Sequence, residues 1–444
     1  MNDAKVVIIG GSVAGIEAAI VVQRHHKVEK ITVIRKEEKV PVPCGIPYIY
    51  GTLGTPDKNL IPDTMLGGVE LVIDEVTSLD RNLHTVTTEG GKNIAYDKLI
   101  LATGSFPLVP QIPGVDLEGV FPIKKDIKWL QRLDEALSKA RNVVVIGGGF
   151  IGVEFADECR KKGINVTIVE MLPNCLFLAC DEEFCIRAEE ILKGKGIAVI
   201  TNKTAQSIDG SGRVEYVGLS DGKQLKADVV ILGIGVVPNT DLAQKAGLEI
   251  GKLRGIKVDA YMRTDDPDIL AAGDCAEKFS FFSGKPSGLR LASIATREAR
   301  LAAINLFEPR RRNEGTIGVF ATAIGEIGIG VAGLTEKAAR AEGFDCIIGE
   351  ASAVDKHPGG MPGARELRVK LIFDGKSGRL IGGEACGGVT AGEMTNIMAT
   401  AIANRMTADQ LTNMQIGTHP ALTASPIAYQ LVNAAEQAFL KMQL

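Results

Sequence analysis

Two short glycine strings, each directly following an apolar β-branched run and each opening a helical pattern, constrain this chain more than any other feature. The first is Gly10-Gly11-Ser12-Val13-Ala14-Gly15 after Val6–Ile9; the second is Gly147-Gly148-Gly149-Phe150-Ile151-Gly152 after Val143–Ile146. In such a string the first glycine permits a tight turn and the last permits close helix packing. The helix start then offers backbone N–H groups to a pyrophosphate. Recurrence of the unit predicts two copies of one strand–turn–helix architecture in a single chain.

The second string has every required position filled, and Glu170 ends the strand that follows it. A carboxylate there can bridge ribose hydroxyls and repel a 2′-phosphate, which favours NADH over NADPH. The plainer reading of Glu170 is a solvated acid at a strand end. The first string departs from the pattern twice: Ser12 stands where a second glycine is expected, and Arg35 where an acid usually binds a ribose. Taken alone, it also fits an ordinary strand–turn–helix. Further apolar runs, Ile31–Ile34, Leu99–Leu101, Val166–Val169 and Val229–Leu232, alternate with helical patterns and predict parallel sheets covered on both faces. Beyond Gly315 the texture changes to short alternating strands such as Leu367–Phe373, then helical patterns over Ala391–Asn404 and Ile427–Leu440. That predicts a separate α+β domain with no glycine string of its own.

With 444 residues, the chain exceeds one ordinary core and fits two to four domains at about 100–200 residues each. Hydrophobic residues at 45%, charged residues at 23% and a net charge of -4 exclude a nucleic-acid surface and a polybasic membrane anchor. The run Val6–Ile9 begins almost at Met1 and leaves no room for a signal peptide, and no apolar stretch reaches transmembrane length. Eight cysteines without a regular framework fit reduced thiols. A cytoplasmic protein is expected. Cys175, Cys180 and Cys185 recur every five residues, a spacing wrong for zinc, so no metal site is expected.

Two more segments complete a pattern: Leu99-Ile100-Leu101-Ala102-Thr103-Gly104, and Thr264-Asp265-Asp266-Pro267-Asp268-Ile269-Leu270-Ala271-Ala272-Gly273-Asp274. In this order and spacing, the four segments resemble the FAD-containing pyridine nucleotide–disulfide oxidoreductases over essentially the whole chain. The resemblance implies an α/β fold with two Rossmann-like dinucleotide-binding domains and a C-terminal α+β interface domain. The implied boundaries are residues 1–112 and 241–318 for FAD, 113–240 for NAD and 319–444 for the interface. It further implies that Gly10, Ser12, Val13, Ala14, Gly15, Arg35, Val76, Ala102, Thr103, Gly104, Gly273 and Asp274 hold FAD. Of these, Asp274 would bond the ribitol, and Ala102-Thr103-Gly104 would mark the crossing between domains; the plain alternative for Gly273-Asp274 is a turn. NAD(P)H would meet Gly147, Gly149, Phe150, Ile151, Gly152, Glu154, Glu170 and Gly235. Phe150 would cover the flavin until nicotinamide displaces it, unless it is simply core, and Glu154 would lie near the nicotinamide edge.

Cys44 sits in Val42-Pro43-Cys44-Gly45-Ile46-Pro47-Tyr48, where glutathione-reductase-like members carry a Cys-x4-Cys pair; here position 49 is Ile49. The chain therefore looks like the single-cysteine branch, which includes NADH oxidases, NADH peroxidases and CoA-disulfide or polysulfide reductases. At a helix start beside the flavin, a thiolate is favoured by the helix dipole and can attack a disulfide or persulfide sulfur or become a sulfenic acid. Free cysteines are otherwise most often inert core, the reading given to the other seven. Peroxidases of this branch carry a His within the first glycine string, which here reads Ser12-Val13-Ala14. CoA-disulfide reductases bring two tyrosines from the partner's interface domain. The matching stretches here, Gly360-Met361-Pro362-Gly363 and Thr418-His419-Pro420-Ala421, lack both. Instead, His419-Pro420 resembles the His-Pro element whose His serves the partner subunit's cysteine as acid/base; the plain alternative is a surface or capping His.

The expected function is transfer of electrons from NAD(P)H through FAD and Cys44 to a small disulfide, persulfide or polysulfide, in a homodimer whose site is completed in trans. An NADH oxidase reducing O2 is the first alternative, and a reductase of a rubredoxin- or ferredoxin-like carrier the second. A nucleotide-sensing protein that keeps the fold is the non-enzymatic reading. No fused rhodanese-like domain is expected after Leu444.

Overall fold

The computed structural model describes residues 3–443; residues 1, 2 and 444, the outer ends of the expected FAD-binding and interface domains, lie outside the described residues. The chain forms two compact units. One holds the chain up to Gln111 together with Gly119–Ala140 and Ile234–Thr316; the other holds Ile112–Glu118, Arg141–Gly233 and Ile317 onward.

The first unit is built on a parallel sheet ordered Ile269–Ala271, Lys98–Leu101, Lys5–Ile9, Lys30–Arg35, Glu70–Ile73. Its central strand runs in register with both neighbours, Val6 facing Ile31 on one side and Lys98 on the other, and Val6 to Ile9 are all buried. A strand covered on both faces must be apolar at successive positions, which is why this run does not alternate. Helix Val13–His25 packs on helix Ala292–Ile304. The buried alanines Ala18, Ala19, Ala299, Ala302 and Ala303 carry little side chain and let the two backbones approach.

The second unit repeats the scheme with parallel strands Val229–Leu232, Asn142–Ile146, Asn165–Val169 and Ala198–Ile200. The duplication extends beyond the glycine turns. Each unit also carries a three-stranded antiparallel meander: Val76–Asp80, Thr85–Thr88 and Asn93–Ala95 in the first, Ala205–Asp209, Tyr216–Leu219 and Gln224–Lys226 in the second. The second unit continues into an antiparallel sheet ordered Val319–Ile324, Ile327–Gly333, Leu380–Gly387, Glu366–Asp374, Cys346–Val354. Helices Ala391–Ala403 and Gln430–Met442 cover it.

The last helix starts at Gln430 rather than at Ile427. Pro426 opens a separate 3-10 turn, Pro426–Ala428, and Tyr429 is extended (φ -70, ψ 111), so the helix cannot reach back across it. Among the described residues, no helix is long and apolar enough to cross a membrane.

Candidate functional site

The first glycine turn has the geometry its sequence demands. Gly10 adopts φ +110 and donates its N–H to Ile34 O at 2.8 Å. A Cβ at Gly10 would lie 2.1 Å from Ala102 O, and one at Gly15 would lie 1.8 Å from Gly10 O, so neither position accepts a side chain without movement. Ser12 is the N-cap of helix Val13–His25, yet its side chain makes no capping bond, and the first turn contains no acid. The N–H groups of Val13, Ala14 and Gly15 thus keep the positive end of the helix available to an anion.

Arg35 packs its stem against that turn beneath Gly11 and directs its guanidinium elsewhere. Its side chain is 1% exposed, and its guanidinium forms a bidentate pair with Asp63 at 2.7 and 2.9 Å. Two more bonds reach the carbonyls of Glu37 and Glu38, both at 2.8 Å. Five stretches of the chain meet around a cleft of about 290 Å³, lined by Gly10, Arg35, Glu75, Val76, Thr103 and Asn239 among others. Thr103 Oγ1 donates to Asn239 O at 2.7 Å, and Asn239 N–H donates to Gly104 O at 2.9 Å. The crossing Ala102–Gly104 is therefore stitched to the return segment, whose strand Val236–Pro238 pairs with Ser105–Pro107. Gly235 belongs to this same stitch, accepting from Leu108 N–H at 2.9 Å.

Asp274 ends the fourth segment. Burial works against its ionisation, but Lys125 at 3.3 Å, the Ser105 hydroxyl at 2.7 Å and Lys278 outweigh it and hold the carboxyl below its ordinary range. Gly273 is clamped from behind: its N–H donates to Glu298 at 3.0 Å, and its carbonyl accepts from Lys278 at 2.6 Å. Lys278 and Glu298 are themselves a buried pair, 2% and 0% exposed, in which burial raises the Glu298 carboxyl.

The second glycine turn follows the same backbone plan. Gly147 has φ +104 and bonds Val169 O at 2.9 Å, and a Cβ at Gly152 would lie 1.9 Å from Gly147 O. Gly149 caps helix Phe150–Lys161, again with no side-chain cap and no acid in the first turn. Glu170 is buried and folds back under the turn, accepting from Gly148 N–H at 2.6 Å and Leu172 N–H at 2.7 Å. Ile151 is exposed and Phe150 half-buried on the helix's first turn. Glu154, one turn later, accepts from Thr322 Oγ1 at 2.8 Å. Burial, opposed by that bond and reinforced by Glu158, pushes its carboxyl up to about 7.

Cys44 is exposed, whereas the other seven cysteines are buried. Burial pushes the Cys159 and Cys175 thiols up to about 12, which keeps them inert. The helix start expected at Cys44 is instead a 3-10 turn, Pro43–Gly45, followed by a second, Pro47–Ile49. Pro47 has no N–H to give an α-helical bond, so the run stays in i to i+3 turns and the macrodipole argument loses most of its force. The loop is held instead by Asn59, whose Nδ2 donates to Val42 O at 2.9 Å and whose carbonyl accepts from Val42 N–H at 2.9 Å.

His419 is exposed, and its Nδ1 accepts from Ala421 N–H at 3.2 Å. That places the proton of the neutral ring on Nε2. Just before the first of the two stretches matched to the tyrosine segments, His357 donates its N–H to Pro420 O at 3.1 Å, and its Nδ1 lies 3.0 Å from Thr423 O. Ser105, Lys125, Asn239 and Thr322 went unrecognised in sequence because their partners lie more than a hundred positions away, and Lys278 and Glu298 because no local spacing marks a buried pair. Among the described residues, no group of three or more His, Cys, Asp or Glu is arranged to hold a metal.

Two glycine cradles that a Cβ would fill, each with an uncapped helix N-terminus, fit two dinucleotides. Comparison with known proteins agrees. Residues 4–299 match the pyridine nucleotide-disulphide oxidoreductase family, and residues 319–427 match its dimerisation domain. An NADH oxidase of Methanocaldococcus jannaschii is 31% identical over 451 residues, covering 99% of each chain. An NAD(P)H coenzyme A polysulfide/persulfide reductase of Pyrococcus horikoshii is 35% identical over 392 residues, covering 86% of this chain and 87% of that one. The structure of an NAD-dependent persulfide reductase from A. fulgidus superposes with a TM-score of 0.92 at 30% identity, over 99% of this chain and 84% of that one. The chain belongs to the pyridine nucleotide-disulphide oxidoreductase family, enzymes that use FAD and NAD(P)H.

Proposed function

We propose that this enzyme reduces a small disulfide, persulfide or polysulfide with NAD(P)H, through Cys44, as a cytoplasmic homodimer. The observation that carries the proposal is the contrast between one exposed thiol on a pinned loop and seven buried ones. The relative named as a polysulfide/persulfide reductase supports the substrate class. We assign FAD to residues 1–112 and 241–318, NAD(P)H to 113–240 and the dimer interface to 319–444, with the residue roles given above.

FAD, when bound, would supply two-electron transfer between NAD(P)H and the Cys44 sulfur. The Cys44 thiolate attacks one sulfur of the substrate, forming a mixed disulfide and expelling the other sulfur as a thiolate. His419 of the partner subunit relays a proton from solvent to that leaving group. Two electrons then cleave the mixed disulfide, so that each turnover consumes one NAD(P)H and one proton and yields two thiols. In its turn, the first helix start binds the FAD diphosphate; the second binds that of NAD(P)H, with Glu170 facing the adenosine ribose.

An anaerobic assay of NADH consumption with polysulfide, in wild type and Cys44→Ser, tests this. Sulfide release that falls at least a hundredfold in Cys44→Ser, while NADH still bleaches the flavin, is expected. Undiminished sulfide release would sink the thiol mechanism. The full-length relative named as an NADH oxidase favours a second reading, reduction of O2. Steady O2 uptake with NADH alone, unchanged by polysulfide, would select it.

A further inference from the structure

The strand Val319–Ile324 lies in the sheet of the part matched to a dimerisation domain. It also packs on helix Phe150–Lys161, at the face where that helix begins. Residues two apart share one face of a strand, and residues four apart share one face of a helix. The contact uses both periods. Phe320 stacks on Phe150, with ring centroids 5.1 Å apart and planes at 12°, while Thr322 Oγ1 donates to Glu154 Oε1 at 2.8 Å. The turn after the strand adds a third tie, Gly325 N–H to Asp157 Oδ2 at 3.2 Å, and Asp157 is further paired with Lys195 at 2.5 Å.

We propose that Thr322 is a positioning residue of the NAD(P)H site, holding the Glu154 carboxyl so that its second oxygen can accept from the primary amide of a nicotinamide. This rests on the reading that Phe150 and Glu154 stand at the nicotinamide end. An ionised carboxylate has acceptor sites on both oxygens, so a bond from Thr322 on one leaves the other for a ligand N–H. Thr322 is 8% exposed and contributes nothing a ligand could reach directly, which makes its effect act through Glu154. Phe320 does the same for Phe150, giving the ring a stacking partner in its resting place.

The charged neighbour acting on Glu154 is Glu158, one turn further along the same helix; from the facing strand it receives only the neutral Thr322 hydroxyl. Burial and Glu158 favour the protonated carboxyl, and Thr322 favours the ionised one. Ionisation therefore falls near neutral pH, where loss of one neutral hydrogen bond moves the midpoint up by about half to one pH unit.

The test is NADH binding to the FAD-loaded enzyme as a function of pH, followed by quenching of nicotinamide fluorescence under anaerobic conditions with a redox-inert NADH analogue as the probe. In wild type the affinity is expected to step near pH 7. Thr322→Val moves the step upward, Thr322→Ser restores it, and Glu154→Gln removes it and makes a further Thr322→Val change silent. Should Thr322→Val fold poorly, Thr322→Ala removes the same hydroxyl and predicts the same shift. Equal weakening by Thr322→Val at every pH, or a shift that persists in Glu154→Gln, overturns the proposal while leaving the NAD(P)H site intact. Absence of dinucleotide binding by the wild type would instead overturn the functional reading on which it rests.

Discussion

The two glycine turns share a backbone and differ in chemistry. Gly10 and Gly147 have nearly the same φ, +110 and +104, and the closing glycines Gly15 and Gly152 approach the first carbonyl equally closely. What differs is the residue ending the next strand. Glu170 bends under its turn and takes N–H bonds from Gly148 and Leu172, which sets an acidic side chain directly beneath the second turn. Arg35 lays its stem beneath Gly11, where a Cβ would meet its Cδ at 2.4 Å, and spends its guanidinium on Asp63 and two carbonyls. One turn is backed by an acidic side chain, the other by the stem of a basic one whose guanidinium is already paired with Asp63. The two units share the part that sterics dictate and differ in the charge at the strand end.

If that division is right, the largest effects come from the shared backbone. Gly15→Ala should give colourless protein unable to retain FAD, whereas Gly152→Ala should keep its FAD and bind NADH at least a hundredfold more weakly. Visible absorbance and dinucleotide titration check both, and FAD loss from Gly152→Ala would break the assignment of turns to cofactors. Each substitution also carries an overpacking cost of about 1–3 kcal/mol.

Glu154 sharpens the contrast through pH. Burial raises its carboxyl to about 7, above the ordinary 4.5, so the folded state holds a proton that the unfolded state has released. Stability is unaffected below pH 4.5, declines as pH rises to 7, and above that is lower by up to about 3 kcal/mol. Glu154→Gln should therefore unfold at higher denaturant than wild type at pH 8 and at the same denaturant at pH 4. A gain of equal size at both pH values would show that charge is not the cause.

Charge reading at Glu170 predicts a smaller change. Glu170→Ser should lower the preference for NADH over NADPH, measured as the ratio of kcat/KM values, by about tenfold. Smallest is Arg35→Met: Asp63 is half-exposed and stays solvated, so stability falls by only about 1–2 kcal/mol from lost hydrogen bonds, with FAD retained. Loss of FAD there would mean that Arg35 contacts the cofactor after all.

Local rules made much of the molecule legible. The apolar runs before each glycine string became the central parallel strands, because a doubly covered strand has no polar face to show. The turn at Cys44 was misread, since two prolines four residues apart impose 3-10 geometry that a search for helix starts does not distinguish. Cys44 itself stood out in sequence by its motif, and its exposure is what tertiary structure adds.

Sequence by itself determined where backbones must turn tightly and which strands must be buried, since sterics and hydrophobic period act within a few residues. Only the tertiary structure decided which groups surround them. Lys125 reaches Asp274 across 149 positions, and Thr322 reaches Glu154 across 168. Protonation and orientation at such sites depend on desolvation and on partners brought from distant segments, and these exist only once the chain has folded.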